Sequence, residues 1–134
     1  MNIEDILSII ESDFAVPEGA DYRKLVSELE VNLGSLDLTV RDKSYEILGV
    51  WCNRGILTDS ELLTLGERIV SNLSVGLGEL DTDNVFVRSF SALVLCEIIE
   101  ADIAFTEGKC TGRKSFLTPE LFKKWLDNHP RYQR

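Results

Sequence analysis

Apolar side chains recur along much of the chain at the three- and four-residue spacing of amphipathic helices. After Asn2, which can cap a helix, isoleucines and leucines follow that spacing, and the spacing returns after Asp21 and again from Leu38. No stretch alternates apolar and polar residues between hairpin-type dipeptides. The pattern predicts an all-α fold with six helices, near residues 3–12, 21–33, 38–53, 59–74, 84–104 and 119–127.

The fourth helix has the clearest start signal. Thr58 and Glu61 have the spacing of a capping box, and Leu57 and Leu62 flank them as a hydrophobic staple. Gly66 lies inside the same helix, where a small residue is typical of a close crossing with a neighbouring helix. The sixth helix is predicted to begin in a similar way, because a threonine cap precedes a proline at its first position.

The segment from Asp83 to Ala104 is the most apolar part of the chain. Its hydrophobic residues leave no fully polar helical face, so we expect a central helix that is covered on several sides. Charged residues interrupt it well before the length needed to span a bilayer. Phe90 and Leu93 lie mid-helix, and truncating either to alanine is expected to cost about 2 to 5 kcal/mol.

Length and charge point to one acidic, soluble domain covering residues 1–134. Hydrophobic residues make up 44% and charged residues 28%, an ordinary globular balance. Residues 1–108 hold 21 acids and 7 bases, whereas residues 109–134 hold 2 acids and 7 bases. Because an acidic body repels phosphate backbones, we expect a protein partner rather than nucleic acid, and no membrane partner.

The residues that usually bear metal or nucleophile chemistry are few and scattered. Cys52, Cys96 and Cys110 are an odd, widely spaced set, and we expect small buried hydrophobic residues in a reducing compartment rather than a disulfide or a metal site. The only histidine, His129, has neither cysteine nor glutamate at helical spacing. We therefore expect no catalytic residue, metal or cofactor. The acidic amino terminus lacks a secretory pattern, and cytoplasmic localisation is expected.

An internal repeat relates the third helix to the fifth. Four positions of the third helix recur 47 residues later: Val40, Arg41, Ser44 and Leu48 match Val87, Arg88, Ser91 and Leu95. This offset falls in the period of about 40 to 47 residues found in HEAT and armadillo repeats. It predicts a fragment of a right-handed α-solenoid, built from stacked helical hairpins.

The two repeated arginines are candidates for structural bridges between the stacked repeats. Arg41 and Arg88 each lie near a helix start, and the candidate carboxylate partners close to them in sequence are Asp37, Asp42, Asp81 and Asp83, with Asp37 and Asp83 favoured. We expect the two arginines with Asp37 and Asp83 to join neighbouring repeats, with ligand binding by the arginines as the less favoured alternative.

Residues 38–102 also resemble a known family. The segments VRDKSYEIL and DNVFVRSFSALVL, together with the tract from Gly55 to Glu61, are similar to the amino-terminal part of a bacterial family of uncharacterised HEAT-like proteins. Members of that family are typically about twice as long as this chain. The resemblance therefore implies an incomplete version of a longer domain, and it implies no established activity.

Two functions from different classes fit this sequence. The first is a protein–protein interaction or scaffold module with an acidic surface, indicated by the repeat and by the absence of a catalytic constellation. The alternative is a helical-repeat enzyme acting on a nucleotide or base through the carboxylates of Asp81, Asp83, Glu97 or Glu100. A basic concave face would favour an enzyme that acts on DNA.

The sixth helix is a candidate interface. Phe122, Trp125 and Leu126 form its apolar face, and no later helix follows to cover them. Lys123 and Lys124 would rim the resulting patch. We expect self-association, most simply a two-fold homodimer through the fifth and sixth helices, or docking of the missing half as a separate chain.

Overall fold

A computed structural model describes residues 1–79, 82–106 and 118–127, and these residues contain helices and no strands. The helices are α1 (Ile3–Glu11), α2 (Tyr22–Asn32), α3 (Leu38–Asn53), α4 (Asp59–Asn72), α5 (Asn84–Thr106) and α6 (Pro119–Asp127). The prediction of an all-α fold with six helices is confirmed for this part of the chain.

The helix starts follow the local capping signals. Asn2 Oδ1 accepts from the backbone N–H of Asp5 at 2.9 Å. Thr58 and Glu61 form the predicted capping box, with the Glu61 N–H bonded to Thr58 Oγ1 at 3.2 Å and the Thr58 N–H bonded to Glu61 Oε1 at 2.9 Å. Thr118 Oγ1 caps α6 through the Leu121 N–H. These starts depend on neighbours within three residues, which is why the sequence predicts them.

The central helix is α3 rather than α5. It packs against α1, α2 and α5, and its buried residues include Ile47, Leu48 and Trp51, each with no exposed surface. The main core consists of Ile6, Ile9, Val26, Leu29, Leu33, Ile47, Leu48, Trp51, Cys52, Leu57, Leu62, Leu65, Ile69, Val94 and Ile98. Trp51 Nε1 also donates to the Phe14 carbonyl at 2.7 Å, which fixes the loop after α1 onto α3.

The prediction that α5 is covered on several sides is confirmed only in part: α5 packs against α3 and α4, and another face is exposed. Val94 and Ile98 are fully buried, but Leu93 is 42% exposed on another face of the same helix. Alanine at Leu93 would therefore leave little cavity, and the predicted cost of about 2 to 5 kcal/mol does not apply to it. Phe90 is half-buried and stays in contact with the core.

α3 and α5 run parallel, with their amino-terminal ends side by side. The Arg41 guanidinium lies 3.8 Å from the centre of the Phe86 ring near both helix starts, while Asn53 at the end of α3 reaches Glu97 further along α5. The repeated serines, Ser44 and Ser91, are both fully buried. Small buried residues are typical of positions where neighbouring helices pack closely.

α2 and α4 are joined by two reciprocal ion pairs. Arg23 of α2 bonds Glu61 of α4 at 2.6 Å, and Arg68 of α4 bonds Glu30 of α2 at 3.0 Å. Each helix advances by seven residues between the two pairs, so α2 and α4 also run parallel, with the pairs about 10 Å apart along them.

α6 packs on α4 at the predicted small residue. A methyl group added at Gly66 would overlap the Trp125 indole, and Trp125 is only 4% exposed. Gly66 therefore permits the close helix crossing that its position predicted. In the described ranges, no helix combines the length and the apolar character that a bilayer span requires.

Candidate interaction surface

A groove lies between α3 and α5 at the surface of the protein. It has a volume of about 220 Å³ and is lined by Tyr45, Glu46, Gly49, Val50, Asn53 and Glu97. Leu93 and Glu100 lie on α5 one turn to either side of Glu97. We name the set Glu46, Val50, Leu93, Glu97 and Glu100 the α3–α5 surface.

The Glu97 carboxylate is the fixed point of this surface. Tyr45 donates its hydroxyl to Glu97 Oε1 at 3.1 Å, and Asn53 Nδ2 donates to Glu97 Oε2 at 2.7 Å. An added Cβ at Gly49 would lie 3.1 Å from Glu97 Cγ, so the absence of a side chain at Gly49 lets Glu97 lie against α3. Both oxygens are thereby held in place by groups of the neighbouring helix.

Tyr45, which donates to Glu97, is partly buried. Its ring meets Phe90 edge to face, with centroids 6.2 Å apart. Burial, and then the hydrogen bond to Glu97, raise the pKa of Tyr45 to about 12, and the nearby Cys96 and Glu100 add to the shift. The phenol therefore stays protonated and remains a donor to Glu97 at neutral pH.

A stripe of exposed apolar side chains runs along α5 beside the groove. Val85 is 43% exposed, Leu93 42% and Ile103 47%, and Cys96 is exposed on the same face. Exposed single apolar residues are ordinary, but aligned ones along one helix face are typical of a surface that another element covers. The α3–α5 surface thus combines apolar side chains with carboxylates.

Two cysteines differ sharply in their surroundings. Cys96 is exposed, whereas Cys52 is buried in the core, where burial and then the charge of Glu97 raise its thiol pKa to about 12. Because the thiolate is the reactive form, Cys52 should be inert towards thiol reagents at neutral pH. Cys110 lies outside the described residues.

Three of the four carboxylates of the enzyme alternative lie in the described part of the structure, and these three do not converge. Glu97 lines the groove and Glu100 is exposed one turn further along α5. Asp83 is exposed in the turn before α5, at the opposite end of the helix from Glu100, and Asp81 lies outside the described residues. The Glu97 carboxylate accepts two hydrogen bonds, so this arrangement holds a charged acceptor in place.

The predicted arginine–aspartate bridges take a different form. Asp37 caps α3 by accepting from the Thr39 and Val40 N–H groups, and Arg41 instead donates to the Ser35 carbonyl at 2.8 Å. Arg88 donates to the Val75 carbonyl at 2.7 Å. Both arginines therefore bond the backbone of the connection that precedes their own helix. The helix start engages the Asp37 carboxylate, and the contacts of Arg41 are with the preceding connection and with α5.

Arg41 nevertheless joins neighbouring helices. It is only 6% exposed, and its guanidinium lies over the Phe86 and Phe90 rings of α5. Its Nε is buried with no hydrogen-bond partner. Arg88, by contrast, is only half-buried, although it has the equivalent place in the repeat.

Trp125, the largest side chain of the predicted interface on α6, is buried and cannot contact a partner. Trp125 is covered by α4 of the same chain, because Gly66 leaves room for the indole. The prediction of an exposed Trp125 is therefore wrong. Lys123 and Lys124 are exposed, as predicted for rim residues, while the side chains of Phe122 and Leu126 lie outside the described part.

The sequence analysis missed Tyr45 and Asn53 as partners of Glu97. They lie 52 and 44 residues away from it in sequence, so no local pattern relates them. The only available signal was the 47-residue repeat, which places α3 beside α5 without specifying which polar side chains meet.

Comparison with known protein families gives a match to part of the chain. A family model described as "Protein of unknown function (DUF2785)" matches residues 73–134, from the end of α4 onward. This part of the chain is therefore similar to an uncharacterised family, and the match overlaps the predicted family resemblance over residues 73–102. No curated protein and no solved structure matches the chain.

Proposed function

We propose that this protein is a protein–protein interaction module built as a HEAT-like α-solenoid. The packing of every second helix supports the solenoid: α3 contacts α1 and α5, and α4 contacts α2 and α6. The parallel pairing of α3 with α5 and of α2 with α4 also fits stacked helical hairpins.

The partner segment is a basic, amphipathic helix that lies along the α3–α5 surface. The observation that carries this proposal is the apolar stripe on α5 next to the fixed Glu97 carboxylate. A helix that presents leucine-type side chains to Leu93 and Val50 would place lysine or arginine within reach of Glu46, Glu97 and Glu100. This is the helix-in-groove mode of recognition, with charge setting the orientation.

Self-association through the same stripe is part of this proposal. The basic residues of α6 in a second copy, Lys123 and Lys124, are exposed and opposite in charge to the α3–α5 surface. Sedimentation of the full chain at low and high salt distinguishes a second copy of the chain from a different protein as the partner. A dimer that dissociates in high salt would identify the second copy as an occupant.

The test measures whether a bound peptide protects the exposed Cys96 thiol from chemical modification. In a full-length chain with Cys110→Ser, an aromatic disulfide reagent should react with Cys96 and spare the buried Cys52. A blocked synthetic peptide with leucines on one helical face and lysines beside them should slow this reaction as its concentration rises. A peptide with glutamate in place of lysine should protect Cys96 much less.

Matched variants locate the binding. Leu93→Ser and Glu97→Gln should each weaken protection by about tenfold, because each removes one part of the surface. Leu36→Ser, at a site 69% exposed elsewhere, and Glu67→Gln on α4 should leave it unchanged. Absence of protection at any peptide concentration would overturn the proposal, as would equal effects from the control variants.

A further inference from the structure

One end of the helix stack carries a concentration of exposed apolar side chains. Among the described residues, nine large apolar residues are exposed, and five of them lie in or next to the α2–α3 and α4–α5 connections. We name these five residues the end surface: Leu36, Leu38, Val75, Leu77 and Val85. They are between 37% and 69% exposed, so their side chains are available to a partner and are not part of the core.

The two connections lie side by side, because α3 and α5 begin next to each other. A Cβ added at Gly34, in the α2–α3 connection, would overlap the Val87 side chain in the first turn of α5. Leu38 is the first residue of α3 and Val85 is the second residue of α5, and the two have equivalent places in the 47-residue repeat. The exposed apolar residues of both connections therefore lie at the same end of the molecule.

The repeated arginines hold the backbone of both connections. Arg41 donates to the Ser35 carbonyl at 2.8 Å, and Leu36 follows directly after Ser35. Arg88 donates in the same way to the carbonyl of Val75 at 2.7 Å. A backbone that is already held loses less conformational freedom when a partner binds, which favours docking on these connections.

The exposed charge at this end is negative. Asp37, Glu79 and Asp83 each lie within two residues of a member of the end surface, and all three are exposed. Among the described residues, no lysine or arginine forms an ion pair with any of them. The dipoles of α3 and α5, which begin here, are largely offset by those of α2 and α4, which end here. The carboxylates therefore set the charge that a partner meets.

This charge selects the occupant. A second copy bound through the same surface would place its carboxylates against those of the first copy, and an anionic lipid surface would be repelled in the same way. A partner with lysine or arginine beside its apolar side chains complements both the apolar residues and the carboxylates.

We propose that the end surface docks a short protein segment in which apolar side chains are flanked by lysine or arginine. The apolar side chains contact Leu38, Leu77 and Val85, and the flanking cations pair with Asp37 and Asp83. None of these residues belongs to the α3–α5 surface. The end surface is therefore a second docking site, which stands independently of the helix-binding function proposed above.

The experiment is a titration of the isotope-labelled full chain, followed by backbone amide shifts. The probe is a blocked peptide of lysine, leucine and phenylalanine with about six residues, which is too short to form a stable helix by itself. Shifts are expected at Leu38, Leu77 and Val85. Shifts at Val50 and Leu93 without shifts at the end surface would overturn the proposal.

Serine variants test the apolar contact. Leu38→Ser and Leu77→Ser should each weaken binding of the peptide by about tenfold. Ile103→Ser, at the far end of α5, removes an apolar side chain of comparable exposure and should leave the affinity unchanged. Because all three residues are exposed, the variants should fold, and circular dichroism checks this. Equal affinity of the wild type, Leu38→Ser and Leu77→Ser would contradict docking at this end.

Asparagine variants test the charge. Asp37→Asn removes the carboxylate and keeps the cap of α3, because asparagine caps a helix about as well as aspartate. Combined with Asp83→Asn, it should weaken binding by about tenfold and reduce its salt dependence, whereas Glu67→Gln on α4 should change neither. A peptide with glutamate in place of lysine should bind at least about tenfold more weakly. Equal binding of the two peptides would exclude a basic partner.

The other occupants have their own tests. A dimer of the chain that Leu38→Ser dissociates in sedimentation would identify a second copy as the occupant and overturn the proposal. Binding to phosphatidylcholine or phosphatidylserine vesicles that Leu38→Ser abolishes would identify a membrane and overturn it as well.

Leu93→Ser distinguishes the two docking sites. It removes part of the α3–α5 surface and should leave binding of the short peptide unchanged, while Leu38→Ser should leave the protection of Cys96 unchanged. Failure of the end surface is thereby distinguished from failure of the function proposed for the α3–α5 surface.

Discussion

α3 and α5 have matching residues at four positions of their helices, and yet one is buried around most of its circumference and the other is not. Ser44 and Ser91 are both fully buried, and Ile47 and Val94, also 47 residues apart, are too. Away from this shared face the helices differ: Leu48 is fully buried and its equivalent Leu95 is only partly so. α3 packs against three helices, α1, α2 and α5, whereas α5 packs against α3 and α4. The repeat thus specifies one helix face that is buried in both α3 and α5. The helices that pack around each of them determine how much of the remaining helix surface is buried as well.

The largest expected effect tests this difference directly. Leu48→Ala should cost about 3 kcal/mol or more, because a fully enclosed leucine leaves a cavity, while Leu95→Ala should cost about half as much or less. Chemical denaturation of both variants measures the two free energies of unfolding. Equal losses would show that α5 is as enclosed as α3 and would remove the basis for an open surface on α5.

The arginine pair gives the next largest effect. Arg41→Ala should destabilise by about 1 to 3 kcal/mol, since the stem and guanidinium fill space against Phe86 and Phe90. Arg88→Ala should cost less than about 1 kcal/mol, because Arg88 is half-buried.

Arg41→Met separates packing from charge at the same site. Methionine refills the volume and removes a buried cation whose Nε has no partner, so it should recover most of the stability lost in the alanine variant. Thermal and denaturant melts of the three variants test this. A methionine variant as unstable as the alanine variant would mean that the charge of Arg41 is itself needed.

The hydrogen bond from Tyr45 of α3 to Glu97 of α5 gives a further test of how the two helices pack, because the stability that Tyr45 contributes should depend on pH. Tyr45 has a pKa raised to about 12 in the folded chain, against about 10 in the unfolded one. The contribution of Tyr45 to the free energy of unfolding is therefore complete below pH 10 and is lost as the pH rises towards 12. Tyr45→Phe should cost about 1 kcal/mol at neutral pH and keep the edge contact with Phe90.

The control for this prediction is the pH profile itself. The stability difference between wild type and Tyr45→Phe should shrink between about pH 10 and pH 12, and it should be constant from pH 6 to pH 9. A difference that does not change across the alkaline range would contradict the burial of Tyr45 together with its bond to Glu97.

The smallest effect comes from the shared serines. The hydroxyls of Ser44 and Ser91 are buried and have no hydrogen-bond partner in the described structure. Ser44→Ala and Ser91→Ala should each leave stability unchanged or raise it by up to about 1 kcal/mol, because an unsatisfied polar group is removed. Denaturant midpoints measure the change. A clear loss in one variant alone would show that the two positions are not equivalent.

The sequence by itself determined the helices and where they begin. Asn2, Thr58 and Thr118 cap helices through bonds within three residues, and such bonds need no tertiary contact. The repeat also placed Ser44 and Ser91 at matching positions of two helices, and both are fully buried.

Only the tertiary structure decided what each surface meets. The apolar content of α5 and α6 does not distinguish a buried helix face from an exposed one. Leu93 was therefore expected to be buried and Trp125 to be exposed, whereas in the structure Leu93 is exposed and Trp125 is buried. Trp125 is covered because Gly66, more than fifty residues earlier, leaves room for its ring. The hydrogen bonds on Glu97 likewise come from another helix. Such contacts follow from how the helices are arranged in space, which short-range spacing does not encode.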